Sequence, residues 1–533
     1  MEVARPDSTG AARGVAVSGV MLGHPRLWHF HGGLRLPGHK AESTALPIAP
    51  LTLPAQLVIP LAQHIGTPAE PLVQVGERVL KGQLIARAGN NVSAPVHASS
   101  SGMVSAIEPR PVPHPSGLSI LSIVITTDGR DEWASLPAGC DDPYVLTADE
   151  LRTRVRDAGI VGLGGAGFPT YIKLNPAPGH HIETLIINGA ECEPYISCDD
   201  MLMREHAREV IEGTLIMRHA VQAKHCIIGI EDNKPEAIAA LRQALTEHGD
   251  TTLLIRTVPT RYPTGGEKQL IKVLTGREVP SQGHPFGIGV LCHNVGTAVA
   301  VYRAVKLGQP LISRIVTVTG SGVVQPRNFD VPIGAPISAL IAAAGGYTRP
   351  LPQLQMGGPM MGLPLSDDSL PVIKTTNCIL ALPTQPVETE LPCIRCGECV
   401  TVCPANLLPQ ELYWQARAKD FDKAQDQHLF DCIECGCCDA VCPSHIPLVR
   451  YFRYAKTEIW TNEKERRKAD IARQRHEARL ARLERDKSER AVRMQKHKTE
   501  LNSSETPDID PKKAAVQAAL ERVKAKQQAV EEP

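Results

Sequence analysis

One cysteine pattern, C-x2-C-x2-C-x3-C-P, occurs twice in the last third of the chain. In bacterial ferredoxins, the first three cysteines of such a run hold one [4Fe–4S] cubane and the fourth ligates the other cluster. The spacing therefore predicts two clusters with exchanged fourth ligands. The ligands predicted for cluster 1 are Cys393, Cys396, Cys399 and Cys442, and those for cluster 2 are Cys432, Cys435, Cys438 and Cys403.

Zinc sites and disulfides are the alternative interpretations of so many cysteines. Zinc motifs usually separate two C-x2-C pairs by a long spacer, and disulfides are rare in a chain with cytosolic character. Neither fits four cysteines within each short run. The other cysteines have no partner at a metal spacing, and we expect most of them to be buried thiols. They are Cys140, Cys192, Cys198, Cys226, Cys292, Cys378 and Cys437.

Four loops elsewhere combine glycines with polar side chains: G-L-G-G-A-G-F-P-T at 162–170, N-G-A-E-C-E-P-Y at 188–195, Y-P-T-G-G-E-K at 262–268 and H-N-V-G-T at 293–297. Glycine-rich turns before helices let backbone N–H groups approach a phosphate or a flat ring. Any one of these loops could be a plain turn. Four of them in a chain with cluster motifs predict a nucleotide cofactor.

The segments around these loops alternate between strand and helix patterns. Short apolar strands are predicted at 183–188, 226–230 and 252–258, and helices at 199–219 and 235–247. Such alternation is typical of a parallel sheet with helices on its faces, which binds ligands at the carboxyl ends of its strands. Residues 145–310 are therefore predicted to form a Rossmann-like domain.

The remaining segments predict a multidomain α/β chain with small β domains. Residues 41–110 resemble the barrel-sandwich fold of lipoyl and biotinyl carriers. They have no lysine at 87–93, where a carrier needs one, so a structural or docking module is expected. The other predicted parts are an N-terminal extension at 1–40, a β-grasp domain at 311–365, a ferredoxin-type domain at 385–455 and a charged tail of helix and disorder at 456–533.

The overall composition excludes some classes of protein. The chain has 533 residues, with 57 Lys plus Arg against 57 Asp plus Glu, so its charge does not favour a nucleic-acid partner. No apolar run is long enough to span a bilayer. The apolar stretch at 14–22 is short and interrupted, and a secretory signal is not expected there.

The loops resemble a known family of flavoproteins. G-G-A-G-F-P-T, N-G-A-E-C-E-P and Y-P-T-G-G-E resemble the NADH-oxidising flavin subunit of respiratory complex I. The order of H-G-G-L-R-L-P-G-H-K, barrel, flavin domain, β-grasp and paired cluster motifs over about residues 28–460 resembles the C subunit of Rnf (Rsx) ion-translocating electron transport complexes. The resemblance implies a translocase-type oxidoreductase subunit, peripheral on the cytoplasmic face of the inner membrane.

The resemblance also implies cofactors, partners and site residues. FMN and NAD(H) would exchange a hydride without a catalytic acid or base, and electrons would pass through the clusters to integral membrane subunits, with ferredoxin as a further partner. Phe168 and Glu193 are the nucleotide candidates. The chain departs from the complex I pattern at Leu163, where that protein has arginine, and at Ala190, where it has aspartate. The flavin candidates are Gly162, Gly164, Gly165, Lys173, Asn188, Glu191, Gly265, Gly266, Glu267, Asn294 and Thr297.

Two other functions fit the same sequence. The chain could be a cluster-bearing adaptor without a nucleotide site of its own, with the four loops kept for structure. It could also be a soluble NADH diaphorase module of a hydrogenase or dehydrogenase.

Overall fold

The computed structural model describes residues 26–89, 92–114, 116–176, 179–348, 352–384, 388–503 and 511–528. The stretch 14–22, in which a secretory signal was not expected, lies outside the described residues. So do most of the N-terminal extension and residues 90–91 of the stretch where a carrier would need its lysine. The chain divides into two compact units, Met1–Lys456 and Thr457–Pro533.

Short strands form the first domain, and apolar side chains that alternate along them build its core. Leu57, Ile59, Ile123 and Ile125 are fully buried. One antiparallel sheet has the order β2-β8-β7-β4 and a second has the order β3-β5-β6. The strands are β1 (Ala49–Pro50), β2 (Gln56–Pro60), β3 (Glu70–Pro71), β4 (Arg78–Val79), β5 (Leu84–Arg87), β6 (Val96–His97), β7 (Gly102–Pro111) and β8 (Ser119–Thr127).

The second domain is a parallel sheet of order β11-β10-β9-β12 with helices around it. Its strands are apolar runs because both faces are covered. The alternation predicted this sheet, although the helix expected over 199–219 is two helices that meet at His206. The elements are α1 (Ala148–Asp157), α2 (Thr170–Lys173), β9 (Thr184–Gly189), α3 (Cys198–Glu205), α4 (Ala207–Val221), β10 (His225–Glu231), α5 (Pro235–His248), β11 (Leu253–Val258), α6 (Glu267–Thr275), β12 (Val290–Asn294) and α7 (Val295–Leu307).

The third domain is a mixed sheet of order β1-β14-β13-β17-β15-β16 with one helix packed on it. Strand β1 of the first domain pairs in parallel with β14, and this pairing joins the two domains. The elements are β13 (Ser313–Thr319), β14 (Arg327–Pro332), α8 (Ile337–Ala343), β15 (Gln353–Met356), β16 (Leu363–Pro364) and β17 (Cys378–Leu382).

The cysteine motifs lie on loops between short helices, each followed by a longer one. In the described residues no helix is both long and apolar enough to cross a membrane. The helices are α9 (Glu398–Thr401), α10 (Pro409–Ala418), α11 (Phe421–Asp426), α12 (Cys437–Ala440), α13 (Leu448–Ser503) and α14 (Pro511–Gln528). The described part of the tail is helical, and it is exposed over 464–503, as its charge predicts. Residues 504–510 and 529–533 lie outside the described residues.

Candidate functional site

The four glycine-bearing loops meet at the carboxyl edge of the parallel sheet. The side-chain amide of Asn188, at the end of β9, donates to the carbonyl of Gly265 at 2.8 Å. The backbone N–H of Leu163 donates to the Thr297 hydroxyl at 3.0 Å. Gly164 lies so close to Asn294 that a Cβ on it would be 3.2 Å from the Asn294 Cβ. Candidates from all four loops are thus brought together, as the sequence predicts.

The loop at 162–170 presents bare backbone at this edge. It lies between α1 and α2 rather than after a strand, and the Gly162 N–H closes it on the carbonyl of Phe168 at 2.8 Å. Gly164 and Gly165 are exposed. Gly165 has a φ of 110°, and apart from its chain neighbours no described atom lies within 4 Å of the position a Cβ would take. A cofactor can therefore approach the backbone here without meeting a side chain.

The charged flavin candidates have protein partners of their own. Lys173 donates to the carbonyl of Cys292 at 2.6 Å and pairs with Glu267. The carboxylate of Glu191 accepts the N–H groups of Asp199 at 2.6 Å and Asp200 at 3.2 Å, and so caps the first turn of α3. Its side chain is 3% exposed. Burial raises the pKa of Glu191 to about 7, and a cofactor would meet a carboxyl near its titration point.

The nucleotide candidates differ in their surroundings. Phe168 is half-buried beside the open glycine backbone. One carboxylate oxygen of Glu193 accepts the N–H of Met360 at 2.7 Å and that of Met361 at 3.0 Å. Both donors lie on a loop of the third domain. Burial raises the pKa of Glu193, and these two N–H donors oppose that shift.

The residues at this edge fit an anionic, heteroaromatic cofactor such as FMN. The N-termini of α6 and α7 lie in two of the four loops, where helix N–H groups favour a phosphate. Gln269 Oε1, next to Gly266, and His293 Nε2 are buried, and among the described residues neither has a hydrogen-bond partner. Buried polar atoms without partners are costly, so their presence here favours a bound ligand. A separate cavity bordered by Leu163 is lined by none of the flavin candidates.

The eight motif cysteines gather around two small cavities. Apart from the sulfurs, the walls are mostly apolar, and the Leu407 N–H lies 3.4 Å from the Cys403 sulfur. The grouping is the one that the spacing predicts. Cys437 also lines the second cavity and is fully buried. The thiols that surround the first cavity are Cys393, Cys396, Cys399 and Cys442, and those that surround the second are Cys403, Cys432, Cys435 and Cys438.

The third glycine-bearing loop, at 262–268, contacts the wall of the second cavity, so the glycine-bearing loops (the flavin loops below) and the cysteine motifs are neighbours. The buried phenol of Tyr262, in the third loop, donates to the carbonyl of Cys435 at 2.7 Å. Tyr262 also packs in an apolar cluster with Val402 and Cys437. Cys396 of the cluster 1 site is exposed, and its neighbour Ile394 is 68% exposed. The second cavity is therefore the inner one and the first cavity the outer one.

Sequence models of four domain families match this chain. The RnfC barrel sandwich hybrid domain matches residues 28–130, the Nuo51 FMN-binding domain 155–303, the SLBB domain 315–364 and the 4Fe-4S dicluster domain 385–470. The C subunit of the ion-translocating oxidoreductase complex of Pectobacterium atrosepticum is 49% identical over 95% of this chain and 71% of that protein. The chain belongs to the family of these C subunits.

Other members of the family are equally similar. The corresponding protein of Serratia proteamaculans is 50% identical over 94% of this chain and 70% of that protein. For Pseudomonas aeruginosa the identity is 50% over 94% of this chain, which spans 65% of that protein. A solved NAD⁺-reducing [NiFe]-hydrogenase aligns at a TM-score of 0.44 and 21% identity over 58% of this chain and 62% of that one, too low to support an argument.

Membership fixes the class of protein and its cofactors. The chain is an electron-transfer subunit of a translocase-type, ion-translocating oxidoreductase complex, and it works with other subunits. With an FMN-binding domain and a dicluster domain, its cofactors are FMN and two [4Fe–4S] clusters.

The sequence did not predict three side chains that donate hydrogen bonds to backbone carbonyls of the glycine-bearing loops or of the cysteine motifs. Tyr262 was noted only as part of a glycine loop, and its phenol reaches a cluster motif far along the chain. Lys40 and Lys234 donate to carbonyls of the 188–195 loop. Lys234 follows the carboxyl end of β10, where a ligand-edge residue is expected. Lys40 ends the H-G-G-L-R-L-P-G-H-K stretch, but nothing in that stretch predicts a contact with the loop at 188–195, more than 140 residues along the chain.

Proposed function

We propose that this chain passes electrons between NAD(H), FMN and its two clusters as a peripheral subunit on the cytoplasmic face of the inner membrane. Integral membrane subunits of the same complex would be its partners, with ferredoxin as a further redox partner. The observation that carries the proposal is the contact of Tyr262 with Cys435, because it joins the flavin loops to the inner cluster site without intervening solvent.

The chain's residues would bind and orient rather than donate protons. FMN supplies the conversion of a two-electron hydride into single electrons. Gly162, Gly164 and Gly165 would leave the backbone open to it, while Lys173 and Asn188 would hold its polar edge. The remaining candidates would complete the wall of the site, namely Glu191, Gly265, Gly266, Glu267, Asn294 and Thr297.

The order of transfer follows from the difference between the cluster sites. Cluster 2, held by Cys432, Cys435, Cys438 and Cys403, would exchange electrons with the flavin. Cluster 1, held by Cys393, Cys396, Cys399 and Cys442, would exchange them with a partner, because Cys396 is exposed. Leu391 and Ile394, 52% and 68% exposed, give this outer face an apolar character suited to a protein partner.

The nicotinamide nucleotide would bind beside Phe168 and Glu193. Replacement of Glu193 by alanine should weaken NADH binding and leave both clusters in place. Because the Glu193 carboxylate also holds the N–H groups of Met360 and Met361, the variant Glu193→Gln is the milder control, since its amide oxygen can still accept those bonds. Unchanged NADH affinity in Glu193→Ala would rule out this placement of the nucleotide.

Anaerobic titration with NADH tests the proposal as a whole. The full chain, with reconstituted clusters and added FMN, would be followed by visible absorption and EPR. Bleaching of the flavin and then of the clusters is expected. Dithionite, which reduces clusters without a nucleotide site, is the positive control. Flavin and clusters that respond to dithionite but never to NADH would contradict the proposal.

One observation favours a second function, that of an adaptor that carries electrons without binding NAD(H). The carboxylate of Glu193 is occupied by the third domain, so a nucleotide would have to displace that loop or bind around it. In this case the NADH titration fails, and the reduced clusters still exchange electrons with the partner subunits.

A further inference from the structure

Lys40, at the end of the segment 31–40, reaches from the N-terminal part of the chain into the flavin domain. Its ammonium donates to the carbonyl of Glu191 at 2.7 Å and to that of Glu193 at 3.1 Å, and also to the carbonyl of Ile196. From the other side, Lys234 donates to the carbonyl of Ala190 at 2.6 Å. Two lysines therefore hold consecutive carbonyls of one loop.

These lysines are directed at the backbone more than at acids. The nearest carboxylate oxygen to the Lys40 ammonium is on Glu191 at 3.7 Å, and that to Lys234 is on Glu231 at 3.4 Å. The Lys40 side chain is 12% exposed and that of Lys234 is fully buried. Hydrogen bonds from a charged donor are stronger than neutral ones. These bonds fix the two carbonyls, and the ammonium groups place positive charge on the carbonyl side of the loop.

The carbonyl and the N–H of a trans peptide point in opposite directions. With the carbonyls of Ala190 and Glu191 turned toward the lysines, the N–H groups of Glu191 and Cys192 point away from them. Neither N–H has an acceptor among the described residues. The Cys192 nitrogen lies beside the third glycine loop, 3.6 Å from the place of a Cβ on Gly265. Within the described residues, the Cys192 N–H is therefore an unpaired donor beside the third glycine loop, and the Glu191 N–H is an unpaired donor one peptide before it.

The loop needs such support because its backbone is strained. Glu191 has a φ of 47° and Tyr195 a φ of 69°, a left-handed conformation that is unfavourable for a residue with a side chain. The segment that ends in Lys40 also holds the far end of the loop. The Tyr195 N–H donates to the carbonyl of Gly38 at 2.8 Å, and its ring stacks on His39 at 4.6 Å.

We infer that Lys40 is a positioning residue of the flavin site: it holds the 190–196 loop so that two backbone N–H groups stabilise negative charge on reduced FMN. The inference rests on the proposed function, in which FMN is reduced at this edge. Reduced flavin carries negative charge on its ring, and nearby charges and hydrogen bonds tune its electronics. Lys40 acts on the flavin through the backbone.

The variant Lys40→Met removes the charge and the donors at similar length. We expect FMN to bind about tenfold more weakly, as for one lost charge-assisted hydrogen bond. The midpoint potential of the bound flavin should shift downward, because its reduced form loses stabilisation. The variant Lys40→Arg keeps the charge and donors and should recover most of the potential. The readouts are FMN fluorescence titration and anaerobic redox titration of the full chain.

Lys81→Met is the matched control. Lys81 is also a partly buried lysine, paired with Asp131 and lying over the Trp133 ring, and it has no bond to the flavin loops. The variant Lys81→Met should leave the midpoint potential of the bound flavin unchanged. Wild-type cluster EPR in Lys40→Met verifies its fold, and hydrogen exchange of the 188–196 peptides without FMN should be faster than in the wild type.

The outcomes separate the inference from the proposed function. If wild-type chain binds and reduces FMN, and Lys40→Met does so with the same potential and the same hydrogen exchange, the inference alone is wrong. If wild-type chain does not bind FMN at all, the proposed function fails and the inference with it.

Discussion

The loops that carry the two cysteine motifs can be compared residue by residue, because the pattern repeats at the same spacing. Arg395 in the first motif and Glu434 in the second both have a φ of 56°. The glycines that follow, Gly397 and Gly436, have φ values of 83° and 75°. The same spacing has produced the same local backbone, so both loops present their thiols in the same way.

The surroundings of the two motifs differ. Ile394 of the first motif is 68% exposed, whereas Ile433 at the same place in the second packs in the apolar cluster of Tyr262. A Cβ on Gly436 would lie 2.7 Å from the carbonyl oxygen of Met360, whereas one on Gly397 would meet no described atom within 4 Å apart from its chain neighbours. The spacing therefore sets the local backbone of each motif, and the neighbouring domains decide how far the motif is exposed to solvent. In the proposed function, this difference in exposure also sets the order of electron transfer.

The largest difference is expected from removing one ligand of each cluster. Cys438→Ala should destroy the inner cluster and with it the reduction of the outer cluster by NADH. Cys399→Ala should destroy only the outer cluster and leave the inner one reducible. Iron content and EPR after NADH or dithionite give the measurement. An outer cluster that NADH still reduces at the wild-type rate in Cys438→Ala would contradict the proposed order.

The two motif glycines test the surroundings directly. Alanine at either position pays the left-handed penalty, about 1–2 kcal/mol. Gly436→Ala must also displace the Met360 loop, which adds about 1–3 kcal/mol, as for overpacking elsewhere. Denaturant unfolding of the two variants should therefore rank Gly436→Ala as the less stable. Equal losses in the free energy of unfolding would mean that the Met360 loop moves away from the new methyl group at little cost.

Burial of Glu191, in the glycine-bearing loop at 188–195, should make the free energy of unfolding depend on pH. The pKa of Glu191 is raised by burial from its ordinary value of 4.5 to about 7, so the stability it contributes is present below 4.5 and is lost as the pH rises through 7. The shift corresponds to at most about 3 kcal/mol. Glu191→Gln should remove this loss. Relative to the wild type, the free energy of unfolding of the variant should therefore increase between pH 5 and pH 8.

The exposed ion pair of Glu388 and His445, beside the outer motif, gives the control for that measurement. Exposed pairs contribute about 1 kcal/mol or less. Glu388→Gln should therefore change the free energy of unfolding by about 1 kcal/mol or less. A profile that Glu191→Gln leaves unchanged would show that Glu191 does not titrate in this range.

Sequence predicted those features that depend on local spacing. The cysteine grouping, the parallel sheet and the convergence of the four loops follow from short patterns. The partners of Glu193 and Glu191 do not, because Met360 and the first turn of α3 reach them only after the chain folds. The break at His206 was likewise missed, since the helical spacing of Met203, Ala207 and Val210 continues across it and neither glycine nor proline marks it. Contacts between domains carry no local pattern.

The smallest predicted effect concerns the phenol that joins the flavin loops to the inner motif. Tyr262→Phe leaves the buried carbonyl of Cys435 without its donor, which should lower the free energy of unfolding by about 1–3 kcal/mol. Tyr451, beside the outer motif, donates to Glu390 at 3.2 Å in an exposed bond, so Tyr451→Phe should cost less than about 0.5 kcal/mol.

Thermal unfolding and the rate of cluster loss would measure both tyrosine variants. The apolar ring stays in Tyr262→Phe, so packing between the loops and the motif is kept and only the polar contacts of the phenol, with the Cys435 carbonyl and with Glu193, are removed. If Tyr262→Phe is as stable as Tyr451→Phe, water must replace the phenol, and the inner site would be as accessible to solvent as the outer one. If it is less stable and loses its inner cluster first, the bond helps to keep the flavin loops closed over that cluster.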